Sequence, residues 1–174
     1  MTKTTERDGR LEPVGDRWQI RFTRTLAHSP AKVWRAITDP EHRQAWFPDT
    51  SIGDFTTVGA QLSFAVPGTR FDGEVLAADP PKLLELRWGT DILRFELRAD
   101  GAGTVLEFSD TITEVGKGAR DTAGWHVCID RLESALDDTS PDGNPDWRVL
   151  NNMYVERFGP EASTMGPPEG HPEV

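Results

Sequence analysis

The stretch Ala123–Asp138, AGWHVCIDRLESALDD, sets a tryptophan, a histidine and the chain's single cysteine within four positions. Three chemistries could use those types: a nucleophilic thiol, a metal pair, or an imidazole that moves a proton. A reactive thiol needs an electropositive, partly exposed setting. Asp130, Glu133, Asp137 and Asp138 surround Cys128 with negative charge instead. Cys128 also belongs to the series Trp125, Cys128, Ile129, Leu132, Ala135 and Leu136, which recurs at helical spacing. A cysteine on such a stripe packs as a small hydrophobe. His126 and Asp130 stand one helical turn apart, as two metal ligands would, but a zinc site wants three or four. No metal is expected there. His126, at the border of the stripe, reads either as a hydrogen-bonded structural residue or as a polar group lining a cavity. Trp125 reads as a core anchor or a cavity wall.

Two more polar residues interrupt apolar faces. Arg24 is in line with Phe22 and Leu26, and Asp110 with Phe108 and Ile112. They could pair with each other, lie exposed at strand ends, or point into a cavity.

The elements that carry these residues follow from periodicity. In RWQIRFTRTL, Trp18, Ile20, Phe22 and Leu26 alternate with polar residues, as in a half-buried strand. Ser29-Pro30 and Asp39-Pro40 each combine an N-cap type with proline at the first helical position, predicting two short helices. The second should end near Trp46-Phe47, because Pro48 disfavours helical geometry before it. From Ser51 to Thr113, alternating segments separated by Pro67-Gly68, Asp79-Pro80-Pro81, Gly89-Thr90-Asp91 and Asp100-Gly101 predict antiparallel strands with one dry face. Glu85, Arg87, Arg94, Glu96 and Arg98 should form a charge ladder on the wet face. Arg120–Asp138 predicts a long helix, and Asp146–Phe158 a further amphipathic one, with Trp147, Leu150, Tyr154 and Phe158 on one side.

With 174 residues, the chain is long enough for one domain. We expect a flexible segment over 1–16, a domain over 17–159 and a disordered tail over 160–174. A net charge of −10 argues against nucleic-acid partners, whose phosphates need clustered Lys and Arg. No apolar run approaches a membrane span, and MTKTTERDGRLEP has no signal-peptide core. A single cysteine allows no internal disulfide, so a cytoplasmic location is expected.

The order strand, two short helices, strands, long helix is that of the helix-grip fold, an α+β architecture. SPAKVWRAITDPEHRQAWFP, GEVLAADPPKLLELRW, GWHVCIDRLESAL and YVERFG, in that order, resemble the SRPBCC superfamily. They are most similar to its heat-shock-protein-90 ATPase activator homologue-like branch. The resemblance implies a curved sheet wrapped on the long helix with an apolar cavity between them. It also implies the cavity's lining: Trp125, Ile129 and Leu132 with His126 from the helix, some of Phe64, Phe71, Trp88, Phe95 and Phe108 from the sheet, and Trp46 and Phe47 near the mouth. Arg24 and Asp110 are the possible polar groups. Each aromatic reads equally as plain core.

Three functions remain. The chain could bind a small apolar or aromatic molecule without catalysis or cofactor. It could be a cyclase or dehydratase using His126, Asp110 or Arg24 as acid or base. It could be a stress- or chaperone-related module acting through its outer surface. There is no G-x-S-x-G, phosphate loop or metal cluster in the sequence to favour another chemistry.

Overall fold

Strict alternation makes Arg17–Leu26 a strand, β2, and packs Ile20, Phe22 and Leu26 inward. In the computed structural model, which describes residues 6–48 and 50–167, it follows a shorter strand, β1 (Arg10–Val14). The helices α1 (Pro30–Thr38) and α2 (Pro40–Arg43) come next. Six strands complete the sheet: β3 (Thr50–Ile52), β4 (Gln61–Val66), β5 (Thr69–Asp79), β6 (Leu83–Trp88), β7 (Asp91–Asp100) and β8 (Gly103–Ile112). Helix α3 (Gly118–Leu136) then crosses the dry face, and α4 (Trp147–Phe158) packs behind it. The sheet runs β1-β2-β8-β7-β6-β5-β4-β3, antiparallel throughout. This is the helix-grip fold.

Capping starts both short helices as the residue types require. Ser29 Oγ accepts from the Lys32 amide and Asp39 Oδ1 from the Glu41 amide. Helix α2 stops at Arg43, earlier than expected, and continues as turns. Adjacent helical positions point about 100° apart, yet Trp46 and Phe47 are both buried, and the Trp46 indole N–H donates to the Ala36 carbonyl at 2.9 Å. Leaving the helix lets both rings face the core.

Curvature comes from a bulge in β5 between Val75 and Ala77, where one extra residue bends the strand. Nearby, Gly73 leaves room for the ring of Phe64. A Cβ there would stand 2.1 Å from the Arg87 carbonyl oxygen and 2.5 Å from the Phe64 ring. On the wet face Arg94 pairs with Glu85 at 2.8 Å and Glu96 at 2.6 Å, as the ladder predicts.

Two boundaries differ from expectation. Part of the segment taken as flexible is built into the fold. Arg10–Val14 pairs with β2, the Gly9 amide donates to the Tyr154 hydroxyl at 2.7 Å, and Asp8 pairs with Arg157 at 3.0 Å. Gly9 is needed for the approach, since a Cβ would meet Phe22 and Thr122 at about 2.5 Å. A polar strand reads as loop in sequence, because edge pairing needs backbone rather than an apolar face. At the other end Pro160–Ser163 forms a turn of 3₁₀ helix that buries Ala162, and the Met165 amide donates to the Gly116 carbonyl. Residues 1–5 and 168–174 of the two expected loose segments lie outside the described residues.

Candidate functional site

Between α3 and the sheet the aromatic side chains interlock. Trp88 meets Phe64 at 4.6 Å, Phe71 at 4.8 Å, Phe47 at 5.4 Å and Trp125 at 5.7 Å between ring centroids. Trp125 also meets Phe108 at 4.8 Å, and Phe95 contacts both Phe108 and Trp46. Most of the space that the helix grips is thus filled by the protein's own rings.

One opening remains at the edge of this stack, a pocket of about 240 Å³. Its apolar walls are Phe71, Trp88 and Trp125, and Gly124 faces it from α3. A Cβ on Gly124 would meet nothing within 4 Å, so the missing side chain leaves that wall open. The polar end is built by Asp91 at the start of β7, Asp110 near the end of β8, and Lys117 and Asp121 around the start of α3. Lys117 Nζ lies 2.5 Å from Asp91 Oδ2 and 3.7 Å from Asp121 Oδ2, and Arg120 Nε donates to Asp121 Oδ1 at 2.7 Å.

Asp110 is the odd member. It is 1% exposed. Its Oδ2 accepts the Trp125 indole N–H at 2.9 Å, whereas Oδ1 has no hydrogen-bond partner among the described residues. Burial pushes its carboxyl well above the usual range, and the carboxylates of Asp91 and Asp121 push the same way, against Trp125 and Lys117. Burial also raises Asp91, although Lys117 opposes it. Burial works against the Lys117 charge, but Asp121 and Asp91 outweigh it and raise the ammonium above its ordinary value. The chemistry is that of an aromatic slot closed at one end by a buried carboxylic acid and an ion-paired lysine. One oxygen from each of Asp91, Asp110 and Asp121 lies within 4.8 Å of the others, a donor set a hard cation could use. In the structure the Lys117 ammonium sits on that set.

His126 faces a different side of α3. Its Nδ1 is 2.7 Å from the Tyr154 hydroxyl and its Nε2 is 3.3 Å from Asp130. Arg24 completes this network, donating to Asp130 at 2.8 Å, Glu133 at 3.1 Å and the Arg7 carbonyl at 3.0 Å. Burial raises the Asp130 carboxyl, but His126 and Arg24 outweigh it and leave it below its usual value. Arg24 and Asp110 therefore neither pair with each other nor lie exposed. Opposite partners, Leu106 for Arg24 and Ile20 for Asp110, place them four residues apart along the β2–β8 ladder. The network fastens α3 to β2, α4 and the N-terminal segment.

Of the residues singled out in the sequence, Phe71, Trp88, Trp125 and Asp110 line the pocket. Trp46, Phe47, Phe64, Phe95, Phe108, Ile129 and Leu132 lie in the core beneath it. Cys128 is buried on the stripe and reaches the pocket wall. Sequence reading missed Asp91, Lys117, Asp121 and Gly124. A signal existed for Asp91: read as part of a turn, it is in phase with Leu93 and Phe95 and so points to the dry face. Lys117 and Asp121 gave none, because only the fold brings the start of α3 against the strand ends.

The family model for activator of Hsp90 ATPase homolog 1-like protein matches residues 27–137. Among solved structures, the chain is similar to EF2215 of Enterococcus faecalis, a conserved protein of unknown function, at 23% identity and a TM-score of 0.75, covering 86% of this chain and 90% of that one. It is similar to CalU16 of Micromonospora echinospora at 21% identity and a TM-score of 0.68, covering 87% and 94%. DynU16, a protein of the dynemicin biosynthetic locus, is 26% identical with a TM-score of 0.63 over 71% of this chain and 48% of that one. No curated protein matches. With its family model spanning most of the chain and its helix-grip architecture shared with these structures, the chain belongs to the activator of Hsp90 ATPase homolog 1-like family, within the SRPBCC type of fold.

Proposed function

We propose that this protein binds a small aromatic or apolar molecule in the pocket between α3 and the dry face of the sheet. One observation carries the reading: an opening of about 240 Å³, walled by Phe71, Trp88 and Trp125, with the buried Asp110 carboxyl, one oxygen of which has no partner among the described residues, able to fix orientation. Binding sites for small molecules are mostly apolar with a few placed polar groups. The volume is below the ~300–1,000 Å³ usual for drug-sized ligands, so the fit is to one or two rings rather than a long acyl chain. The cyclase or dehydratase reading has less support: of its three candidate groups, His126 and Arg24 engage the network on the other side of α3, which leaves Asp110 as the one candidate in the pocket, without a second acid or base from that set beside it. The single cysteine, buried and without a disulfide, is in keeping with work in the cytoplasm. Among the described residues no helix is long and apolar enough to cross a membrane.

The test is intrinsic fluorescence, since Trp88 and Trp125 wall the pocket. Titration with one- and two-ring aromatics should quench or shift emission saturably for at least one compound, and fatty acids should not. Gly124→Phe should abolish the response by filling the space. Because glycine in a helix interior costs roughly 0.5–1 kcal/mol relative to alanine, the exchange should not weaken the helix itself. Saturable binding that survives Gly124→Phe would place the ligand elsewhere.

A further inference from the structure

We infer that the ligand is a small aromatic amine, bound as its ammonium ion with the nitrogen on Asp110 and the ring against Trp88 and Trp125. This rests on the binding reading above and adds the charge of the ligand.

The polar end of the pocket has one unmet demand. Asp91 and Asp121 each have a cation, Lys117 and Arg120 respectively. Asp110 has only the indole N–H on Oδ2, and its Oδ1 is buried with no hydrogen-bond partner among the described residues. Once the carboxyl is ionised, that oxygen is a buried acceptor that calls for a donor. The donor's charge follows from the surroundings. Asp91 and Asp121 are already balanced by their cations, so of the three neighbouring carboxyls only Asp110 has no ion pair among the described residues, and the partner that completes it as a carboxylate is a cation. An ammonium brings three N–H donors, enough for Asp110 Oδ1 and a neighbouring carboxylate. A metal ion would use the same oxygens, but it would have to displace Lys117 from Asp91. An organic ammonium needs only the unused oxygen, and its ring finds the aromatic walls.

Docking also moves a proton. The groups that face Asp110 are Asp91 from β7, Lys117 from the turn before α3, and Asp121 and Trp125 from α3. Buried among them, Asp110 holds its proton above the usual carboxyl range in the empty pocket. When the ammonium arrives, the carboxyl ionises, the O–H bond breaks, the proton leaves to solvent, and a carboxylate–ammonium pair remains.

The test is calorimetry of the full chain with 2-phenylethylamine, with 2-phenylethanol and 3-phenylpropionate as neutral and anionic matches, and with manganese chloride alone. The amine should bind about tenfold tighter than the alcohol, and the carboxylate weakest. At a pH below the raised value of Asp110, located by titrating the free protein, the heat should depend on the ionisation enthalpy of the buffer, in the sense of proton release on binding of the amine but not of the alcohol. Asp110→Asn should abolish the preference for the amine over the alcohol, with the circular dichroism spectrum preserved. Should that variant not fold, the buffer dependence in the natural protein decides. Alcohol equal to or tighter than amine, or amine binding without proton release, overturns the inference while leaving the pocket reading standing. Manganese binding that Asp110→Asn removes, with no response to amine, overturns it in favour of a metal site. No binding of any organic probe, by calorimetry or by fluorescence, removes both.

Discussion

Replacing Asp110 with asparagine should stabilise the protein, by an amount that grows with pH. The natural carboxyl is fully buried, and its proton is retained well above the ordinary value of 3.8. In the unfolded chain the same group ionises near that ordinary value. Between the two values the folded state binds the extra proton, so stability falls as pH rises and levels off only above the folded value. Each pH unit inside that window costs about 1.4 kcal/mol. Asparagine has nearly the same shape, and its carbonyl can still accept the Trp125 indole N–H. Its amide can donate toward Asp91 and Asp121, where the charged carboxyl was repelled. It does not titrate. For a domain of this length, about 1.4 kcal/mol corresponds to roughly 3–6 °C in Tm. Thermal melts of both proteins should therefore nearly coincide near pH 4, where both side chains are neutral, and separate by that amount per pH unit above it. Parallel curves would show that Asp110 does not titrate differently in the fold. A variant that loses stability most at high pH would show an ionised Asp110 held by Lys117, and would refute the account of the site.

Other outcomes follow from the same structure. Leu132 is fully buried beneath the ring stack, so Leu132→Ala should cost roughly 2–5 kcal/mol in urea denaturation, and a cost below about 0.5 would contradict its place in the core. Cys128 is 4% exposed, so a thiol reagent should label it slowly in the native state and fast in denaturant; fast native labelling would mean that the pocket wall opens. Arg24→Met strips Asp130 of its fully buried partner and should cost about 3–5 kcal/mol by the same denaturation, whereas a loss under about 1 would show that His126 and Arg7 suffice. Asp130, held below its ordinary value, contributes stability that is present above pH ~4 and lost as pH falls through the depressed value. Asp130→Asn should accordingly flatten the acid limb of the stability profile.

Local pattern and tertiary context contributed differently. Alternation in Arg17–Leu26 and the strands up to Ile112, proline-marked caps at Ser29 and Asp39, and the stripe from Trp125 to Leu136 are short-range signals. Each encodes which face must leave water, so the helix-grip architecture could be read from them in order. The amphipathic α4 was legible for the same reason, with Trp147, Leu150 and Tyr154 buried as the periodicity requires. The strand β1 was not, because its pairing uses backbone amides that every residue carries. Periodicity marked Arg24, Asp110 and His126 as polar groups on or beside dry faces, but could not say which groups they would meet. That depends on the crossing of α3 over the sheet. The crossing turns Asp130 toward Arg24 and Trp125 toward Asp110, and sets Lys117 on Asp91. The same limit applies to the aromatics. Their number was plain in the sequence, but whether rings interlock or leave a void is decided by side-chain packing in three dimensions, where most of them stack and a single glycine, Gly124, leaves one wall open.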